Sequence, residues 1–161
     1  MPSFDVISKI NLQEFDNALS NCLREISNRF DFKGLNISIE RKENLITTVA
    51  PDELKLRQVN ELLQTHLIRR KVDPRVINMK SSENASGGSL RQLSELKEGI
   101  SQENAKKIIA EIKKLKQKIQ IKIQGDELIV DGKKKDELQE AIDAIKSIDI
   151  GFPIVFVNCR D

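Results

Sequence analysis

Apolar and polar residues alternate from Lys118 to Asp131, with one interruption at Gly125-Asp126. The apolar positions on the two sides of the interruption are Ile119, Ile121, Ile123, Leu128 and Val130. A period of two predicts strands, and a short break that contains glycine predicts a tight turn between them. The segment is therefore predicted to form an antiparallel hairpin with one buried face and one exposed face.

Before and after this hairpin, apolar residues recur at helical spacing. The same is true of a similar hairpin that is predicted between Asn36 and Val49. Asn11, Asp52 and Ser101 are placed to begin three helices, and a fourth follows Lys135. The longest apolar stripe consists of Phe15, Leu19, Cys22, Leu23, Ile26 and Phe30. Further strands are predicted at 3–10, 76–79, 90–96 and 151–157.

The two halves of the chain repeat one order of elements. A shift of 84 residues places Ile37 on Ile121 and Asp52-Glu53-Leu54 on residues 136–138. Each half then reads strand, helix, strand, strand, helix, strand, which is the order of a ferredoxin-like unit. The predicted fold is α+β, a tandem of two ferredoxin-like (βαββαβ) domains at 1–80 and 90–161. Residues 81–89, rich in serine and glycine, are predicted to be a linker.

Composition places the chain in the soluble globular class, because 39% of its 161 residues are hydrophobic. No apolar run is long enough to cross a membrane and the first residues lack the pattern of a secretion signal, so a cytoplasmic protein is expected. Cys22 and Cys159 lie far apart in the sequence. Their spacing predicts neither a disulfide framework nor a zinc site.

The net charge of +2 says little about partners, but its distribution is uneven. Between Ala105 and Lys122 the only acidic residue is Glu111. The basic residues there are Lys106, Lys107, Lys113, Lys114, Lys116, Lys118 and Lys122. This pattern predicts either a solvated helix face or a basic surface that attracts phosphate groups.

A second candidate site lies at the end of the first helix. Arg29 and Lys33 are suited to hold phosphate, and Asp31 is suited to accept from a guanine edge. Phe32 adds a ring on which a purine can stack. The alternative is that Phe30 and Phe32 fill the core while the charged residues form ion pairs.

The sequence offers little for an enzyme. His66 lies in a helical stripe between Leu63 and Leu67, which favours a packed side chain over a general base. Histidine, cysteine and carboxylate residues do not converge by spacing on a metal site. We therefore predict no catalytic residues, no metal and no cofactor.

Four separated motifs, residues 1–5 (MPSFD), 28–34 (NRFDFKG), 123–127 (IQGDE) and 156–161 (FVNCRD), form a recognisable set. Together they resemble the bacterial YajQ family of nucleotide-binding proteins. The resemblance implies exchanged N-terminal strands, with residues 3–9 pairing in the second sheet and 90–96 in the first. It also implies a cytosolic protein that binds nucleotide or RNA, with cyclic di-nucleotides such as cyclic di-GMP, purine triphosphates and tRNA as candidate ligands.

Two functional hypotheses follow. The first is a binding module for nucleotide or RNA without chemistry of its own. It would use Arg29, Asp31, Phe32 and Lys33 together with Lys106, Lys113, Lys114, Lys116 and Lys122. The second is a regulatory adaptor whose contact with a protein partner is tuned by a nucleotide.

Overall fold

The structure is a computed structural model that describes residues 1–115, 118–148 and 153–161. Its helices are α1 (Leu12–Asn28), α2 (Glu53–Arg69), α3 (Gln102–Lys113) and α4 (Lys135–Ser147). Its strands are β1 (Ser3–Ile7), β2 (Ser38–Lys42), β3 (Leu45–Ala50), β4 (Ile77–Asn84), β5 (Leu90–Leu96), β6 (Gln120–Gln124), β7 (Glu127–Asp131) and β8 (Val155–Arg160). Short 3-10 turns occur at Phe30–Phe32, Pro74–Val76 and Ser86–Gly88.

The chain divides into two compact units. The terminal unit consists of Met1–Lys9 and Glu98–Asp161, and the central unit of Ile10–Lys97. Each unit contains one four-stranded antiparallel sheet and two helices. The α+β class and the two ferredoxin-like domains predicted from the sequence are thus confirmed.

In the terminal unit the strand order is β6-β7-β1-β8, so β1 lies at the centre of its sheet. Phe4 lies opposite Val130 and Val6 opposite Leu128, and all four side chains are buried. They pack in one cluster with the apolar residues of α3 and α4. The inward-facing residues of β1, Phe4 and Val6, therefore form the middle of this core.

In the central unit the strand order is β2-β3-β5-β4, and β5 occupies the position that β1 has in the terminal unit. Gln92 lies opposite Thr48 and Ser94 opposite Ile46. The apolar cluster of this unit lies mainly between α1, α2 and the sheet. The two units thus share a strand order but differ in the residues of the central strand.

The segment predicted as a linker, residues 81–89, lies within the central unit. Residues 81–89 have the composition of a linker, yet Ser81–Asn84 continue β4 and pair with β5. The turn at Ser86–Gly88 then joins the two strands. An exposed edge strand needs backbone pairing more than apolar side chains, so a polar composition does not exclude it.

The two hairpins align with a shift of 82 residues, not 84. Leu45 and Glu127 each begin the strand after the turn, and Asp52 and Lys134 are the N-caps of the following helices. Matching turns and caps set structural equivalence more reliably than matching side-chain types. The predicted shift was wrong by two residues, which kept the inward and outward positions in phase.

The three predicted helix starts are confirmed, and Asn11, Asp52 and Ser101 are the N-caps. The side chains of Asn11, Asp52 and Ser101 accept hydrogen bonds from the backbone N–H groups of Glu14, Lys55 and Asn104. The stripe of α1 fails at its last position, because Arg29 has extended backbone angles (φ −82°, ψ 133°) and ends the helix. Phe30 consequently points outward and is 92% exposed.

Two predictions fall on residues that the structure does not describe: Lys116 as a site residue and Phe152 as part of the last strand. Among the described residues, that strand spans Val155–Arg160. None of the helices in the described ranges has the length and hydropathy needed to cross a membrane.

A buried carboxylate joins β1 to the C-terminal strand. Asp5 accepts hydrogen bonds from Asn158 Nδ2 at 2.8 Å and from Arg160 Nη2 at 2.7 Å, and Arg160 Nε donates to Ser3 Oγ at 2.8 Å. The bond from Asn158, followed by the bond and charge of Arg160, lowers the pKa of Asp5 below its ordinary value of 3.8. This cluster links the two ends of the chain within the terminal unit.

We expect Asp5→Asn to lower the free energy of unfolding at pH 7 by about 1.5 kcal/mol, because a charged acceptor is removed. A depressed pKa gives a stabilisation that is present above pH 3.8 and disappears as the pH falls through the folded-state value. The difference in urea unfolding between the two proteins should therefore be largest at pH 7 and should shrink progressively as the pH is lowered below 3.8. Asp131→Asn in the neighbouring strand serves as the control, and a difference that stays constant as the pH falls would contradict the assignment.

Candidate functional site

The corner after α1, predicted as a binding site, is a tightly paired turn. Arg29 donates to Asp31 through Nε at 3.0 Å and through Nη2 at 2.8 Å. This paired guanidinium lowers the pKa of Asp31 below its ordinary value, and Asp31 raises the pKa of Arg29. Lys33 is exposed at the end of the same turn, and Lys55 Nζ donates to the Asp31 carbonyl at 3.1 Å.

The two phenylalanines of this corner have opposite environments. Phe32 is 3% exposed, and Arg29 and Lys55 lie over its ring at 4.9 and 5.1 Å. Its faces are therefore occupied by the protein and offer no room for a base. Phe30, which the sequence placed in the core, is the ring that is open to solvent.

The lysines of α3 are exposed as a group. Lys106, Lys107, Lys113 and Lys114 all lie on the solvent side of the helix, opposite the buried Ala105, Ile108 and Ile112. Lys114 pairs with Glu111 at 3.2 Å. The structure thus brings Lys106, Lys113 and Lys114 onto one helix surface.

Lys122 does not join that surface. Ile121 lies beside Ile109 and Ile112 of α3, and alternation along β6 directs its neighbour Lys122 to the other face of the sheet. Lys116, the remaining predicted lysine, lies outside the described residues. The predicted basic surface is therefore divided between a helix and an open sheet face.

A second cationic feature lies on the helices of the central unit. Asn21, Arg24, Glu25 and Asn28 share one face of α1 at spacings of three and four residues, as do His66, Arg69 and Arg70 at the end of α2. These seven residues line a groove of about 510 Å³, which we call the arginine groove. The groove was not among the sites predicted from the sequence.

Antiparallel packing of α1 on α2 forms the groove. Lys55 near the start of α2 contacts the turn after α1, and Arg70 after the end of α2 reaches Glu14 in the first turn of α1, at 3.6 Å. The apolar stripes of both helices are buried between these contacts. The polar positions beside each stripe are thereby brought together along the helix interface.

Glu25 connects the arginine groove to the predicted corner. One carboxylate oxygen lies 3.0 Å from His66 Nε2, and the other lies 3.5 Å from Arg29 Nη1. His66 is only 7% exposed, so its packed position was predicted but its contact with Glu25 was not. The Glu25 carboxylate therefore contacts both a residue of the arginine groove, His66, and a residue of the corner after α1, Arg29.

Cys22 lies beneath this surface and does not add charge to it. Burial, with a smaller effect from the charge of Glu25, raises the pKa of its thiol to about 12. The thiol therefore stays protonated at neutral pH, and its side chain acts as a small apolar group in the core.

Positive charge predominates in the groove. Arg24 and Arg69 are exposed and form no ion pair within the described part of the chain, while Arg70 is 42% exposed despite its contact with Glu14. Guanidinium groups present several donors in a planar fork that matches phosphate oxygens, and the amides of Asn21 and Asn28 add further donors. The arrangement is suited to hold an anion with several oxygens.

The groove escaped prediction because its arginines are distant in sequence. Arg69 and Arg70 read as cations that complement the end of a helix, and Arg24 reads as an isolated surface residue. The one local feature of the sequence that could have indicated the groove is the polar face of α1, which lies beside the longest apolar stripe. Only the packing of the two helices shows that this face meets the end of α2.

Comparison with known proteins gives a family match along the chain. The family model described as "Nucleotide-binding protein YajQ-like" matches residues 2–160. A nucleotide-binding protein of Pelagibacter ubique (strain HTCC1062) is 76% identical over 161 residues, covering all of both chains. Nucleotide-binding proteins of Paramagnetospirillum magneticum and Rhodospirillum centenum are 50% and 49% identical, again over the full length of each chain.

The two phenylalanines of the corner provide a matched pair of substitutions. Phe32→Ala should lower the free energy of unfolding by about 3–5 kcal/mol, because it leaves a cavity in the core. Phe30→Ala should change it by less than about 0.5 kcal/mol, because the ring contacts solvent. Urea unfolding measures both, and similar decreases for the two variants would contradict the placement of Phe30 outside the core.

Proposed function

Because the chain belongs to the YajQ-like family of nucleotide-binding proteins, we propose that its arginine groove binds the phosphate groups of a nucleotide. The observation that carries this proposal is the convergence of Arg24, Arg69 and Arg70 on one groove. Phosphate recognition by arginine uses two parallel N–H donors, which gives orientation as well as affinity. We propose this groove in preference to the lysines of α3 as the nucleotide site.

Glu25 would not prevent anion binding. Its two carboxylate oxygens already contact His66 and Arg29. These contacts offset the repulsion that the carboxylate would exert on a bound anion. In this role it holds the His66 ring, which lines the groove, and also contacts the Arg29 side chain. The remaining guanidinium groups are left to meet phosphate oxygens.

Phe30 would supply the contact with a base. Phe30 is 92% exposed and follows Arg29 in the chain, and the Arg29 partner Glu25 lines the groove. Stacking of a base on an exposed aromatic ring contributes about 1–3 kcal/mol and tolerates different bases. The proposed nucleotide therefore places phosphate among the arginines and its base on Phe30.

The proposed ligands are purine nucleotides, cyclic di-nucleotides such as cyclic di-GMP, and the phosphodiester backbone of tRNA. Their shared chemistry is a phosphate group attached to a stacking base. We propose that the protein binds its nucleotide in the cytoplasm and does not convert it chemically. The relatives' names support the binding role, since the three described above are each called a nucleotide-binding protein.

RNA binding by the lysines of α3 is a second proposal. Four exposed lysines at or beside a helix of twelve residues provide contacts along a phosphate backbone without reading sequence. No aromatic ring accompanies them on the described residues of that helix. This surface would therefore add affinity for RNA and would contribute little to the binding of a single nucleotide.

The arginine groove can be tested with Arg24→Glu combined with Arg69→Glu. Removal of charge-assisted hydrogen bonds should weaken the binding of inorganic tripolyphosphate, GTP, ATP and cyclic di-GMP by at least about tenfold. Calorimetric titration of each compound measures the change. The matched control is Lys113→Glu combined with Lys114→Glu, which reverses two charges on α3. Equal weakening in the two double variants would reject the groove as the phosphate site.

The lysine surface can be tested through the salt dependence of tRNA binding. The slope of log K against log salt concentration should decrease in magnitude by about 0.7–0.9 for each phosphate that a lysine no longer neutralises. We expect this decrease in a variant with glutamate at positions 106, 107, 113 and 114, measured by filter binding between about 50 and 300 mM salt. An unchanged slope would exclude these lysines from the RNA interface.

A further inference from the structure

The central unit has a second concavity, on the sheet side of α2. It lies between α2 and the strands β3, β4 and β5, has a volume of about 230 Å³ and is here called the amide cleft. Its walls combine apolar side chains with Thr48, Asn60, Gln92 and Ser94. None of its lining residues belongs to the arginine groove.

The polar groups of the amide cleft are deeply placed. Gln92 is 6% exposed, Thr48 2% and Ser94 1%. Asn60 and Gln92 pair through both ends of their amides, with N···O distances of 2.9 and 3.1 Å, and Gln92 Nε2 also lies 3.4 Å from Ser94 Oγ. Buried amides and hydroxyls stabilise a core less than apolar groups of the same shape. Their presence therefore calls for a reason other than folding.

The terminal unit shows that the fold does not require polar residues at these positions. Thr48 pairs with Gln92 as Val130 pairs with Phe4, and Ile46 pairs with Ser94 as Leu128 pairs with Val6. The hairpin shift of 82 residues makes Thr48 equivalent to Val130. The buried positions of Gln92 and Ser94 are thus occupied by phenylalanine and valine in the other copy.

Helix α2 likewise has a polar residue where the equivalent helix of the terminal unit, α4, has an apolar one. Counting from the N-caps of α2 and α4, Asn60 is equivalent to Ile142, which packs against the apolar core of the terminal unit. Leu63 is equivalent to Ile145, and both are buried. Thr48 on β3, Gln92 and Ser94 on β5 and Asn60 on α2 thus all replace apolar residues of the terminal unit.

An aromatic ring closes the equivalent space in the terminal unit. Phe156, opposite Val6, packs edge-to-face on Phe4 with ring centroids 5.7 Å apart. Met79, opposite Ser94, holds the equivalent place in the central unit and is 62% exposed. The amide cleft thus lies where the other copy accommodates a packed planar ring.

We propose that the amide cleft binds a nucleobase, whose planar ring takes the place that the Phe156 ring has in the terminal unit. Asparagine and glutamine amides present a donor beside an acceptor, which matches the adjacent donor and acceptor on a base edge. Met79 offers a flexible, polarisable side chain at the mouth of the cleft. Because 230 Å³ is below the range of about 300–1,000 Å³ typical of drug-sized ligands, the site fits one base.

This site does not depend on the proposed phosphate groove. Asn60, Leu63 and Gln64 of α2 line the amide cleft, whereas His66, Arg69 and Arg70 line the arginine groove. The cleft contains no cationic side chain among its lining residues. A base without phosphate should therefore bind there in a manner that salt affects little.

The experiment uses the full chain and four unphosphorylated compounds: adenosine, guanosine, cytidine and uridine. Nitrogen-15 NMR follows the side-chain amide groups of Asn60 and Gln92 during each titration. We expect at least one nucleoside to shift both amide signals in a saturable manner, with the same affinity at about 50 and 300 mM salt. Absence of shifts for all four at millimolar concentration overturns the proposal.

A closing variant supplies the structural test. It carries Thr48→Val, Asn60→Ile, Gln92→Phe and Ser94→Val, the residues that the terminal unit has at the equivalent positions. Because this variant lacks both side-chain amides, its titrations are followed through the backbone amide signals of β4 and β5, and we expect nucleoside affinity to fall by at least about tenfold. If this variant does not fold, Thr48→Val with Ser94→Ala keeps the amide pair and should weaken binding about fivefold, because hydroxyl partners are removed.

Two controls separate this site from the nucleotide site. Arg24→Glu with Arg69→Glu should leave nucleoside affinity unchanged, which distinguishes failure of the groove from failure of the cleft. Phe30→Ala removes only the ring of the proposed nucleotide site, so the shifts that a nucleoside causes in the Asn60 and Gln92 amide signals should persist in it. Loss of these shifts in Phe30→Ala, or nucleoside binding that persists at full strength in a folded closing variant, overturns the amide cleft as a base site.

Discussion

The register of the central strand in each sheet determines what lies beneath the helices. In the terminal unit β1 directs Phe4 and Val6 toward α3 and α4, and in the central unit β5 directs Gln92 and Ser94 toward the helix face. A slip of one residue would turn all of these side chains to the opposite face. The same backbone order therefore yields a closed apolar core in one unit and a polar cleft in the other.

Helix α2 separates two different surfaces of the central unit. One side packs antiparallel to α1, and there the contact between His66 and Glu25 organises the arginine groove. The other side covers the sheet, and there Asn60 meets Gln92. The apolar residues Val59, Leu63 and Leu67 are buried and anchor the helix for both. One side of α2 therefore contributes to the charged arginine groove, and the other side contributes to the uncharged amide cleft.

Periodicity predicted most elements because the inward positions of strands and helices are regular, and the caps at Asn11, Asp52 and Ser101 are local signals. It failed at Phe30, where an extended residue ended the helix while the spacing continued. Residues 81–84 read as linker because an exposed edge strand needs no apolar pattern. Neither concavity was predictable, since each depends on residues far apart in sequence that meet only through tertiary packing.

The amide pair explains how the central unit accommodates polar groups where its counterpart has apolar ones. Asn60 and Gln92 satisfy each other, which removes most of the desolvation cost that an unpaired buried amide would carry. A base that bonds to these amides must replace or extend contacts that the protein already makes. The net gain in hydrogen bonding is then small, and affinity must come mainly from burying the ring against the apolar walls. A site of this kind selects bases by their donor and acceptor pattern and binds them with moderate strength.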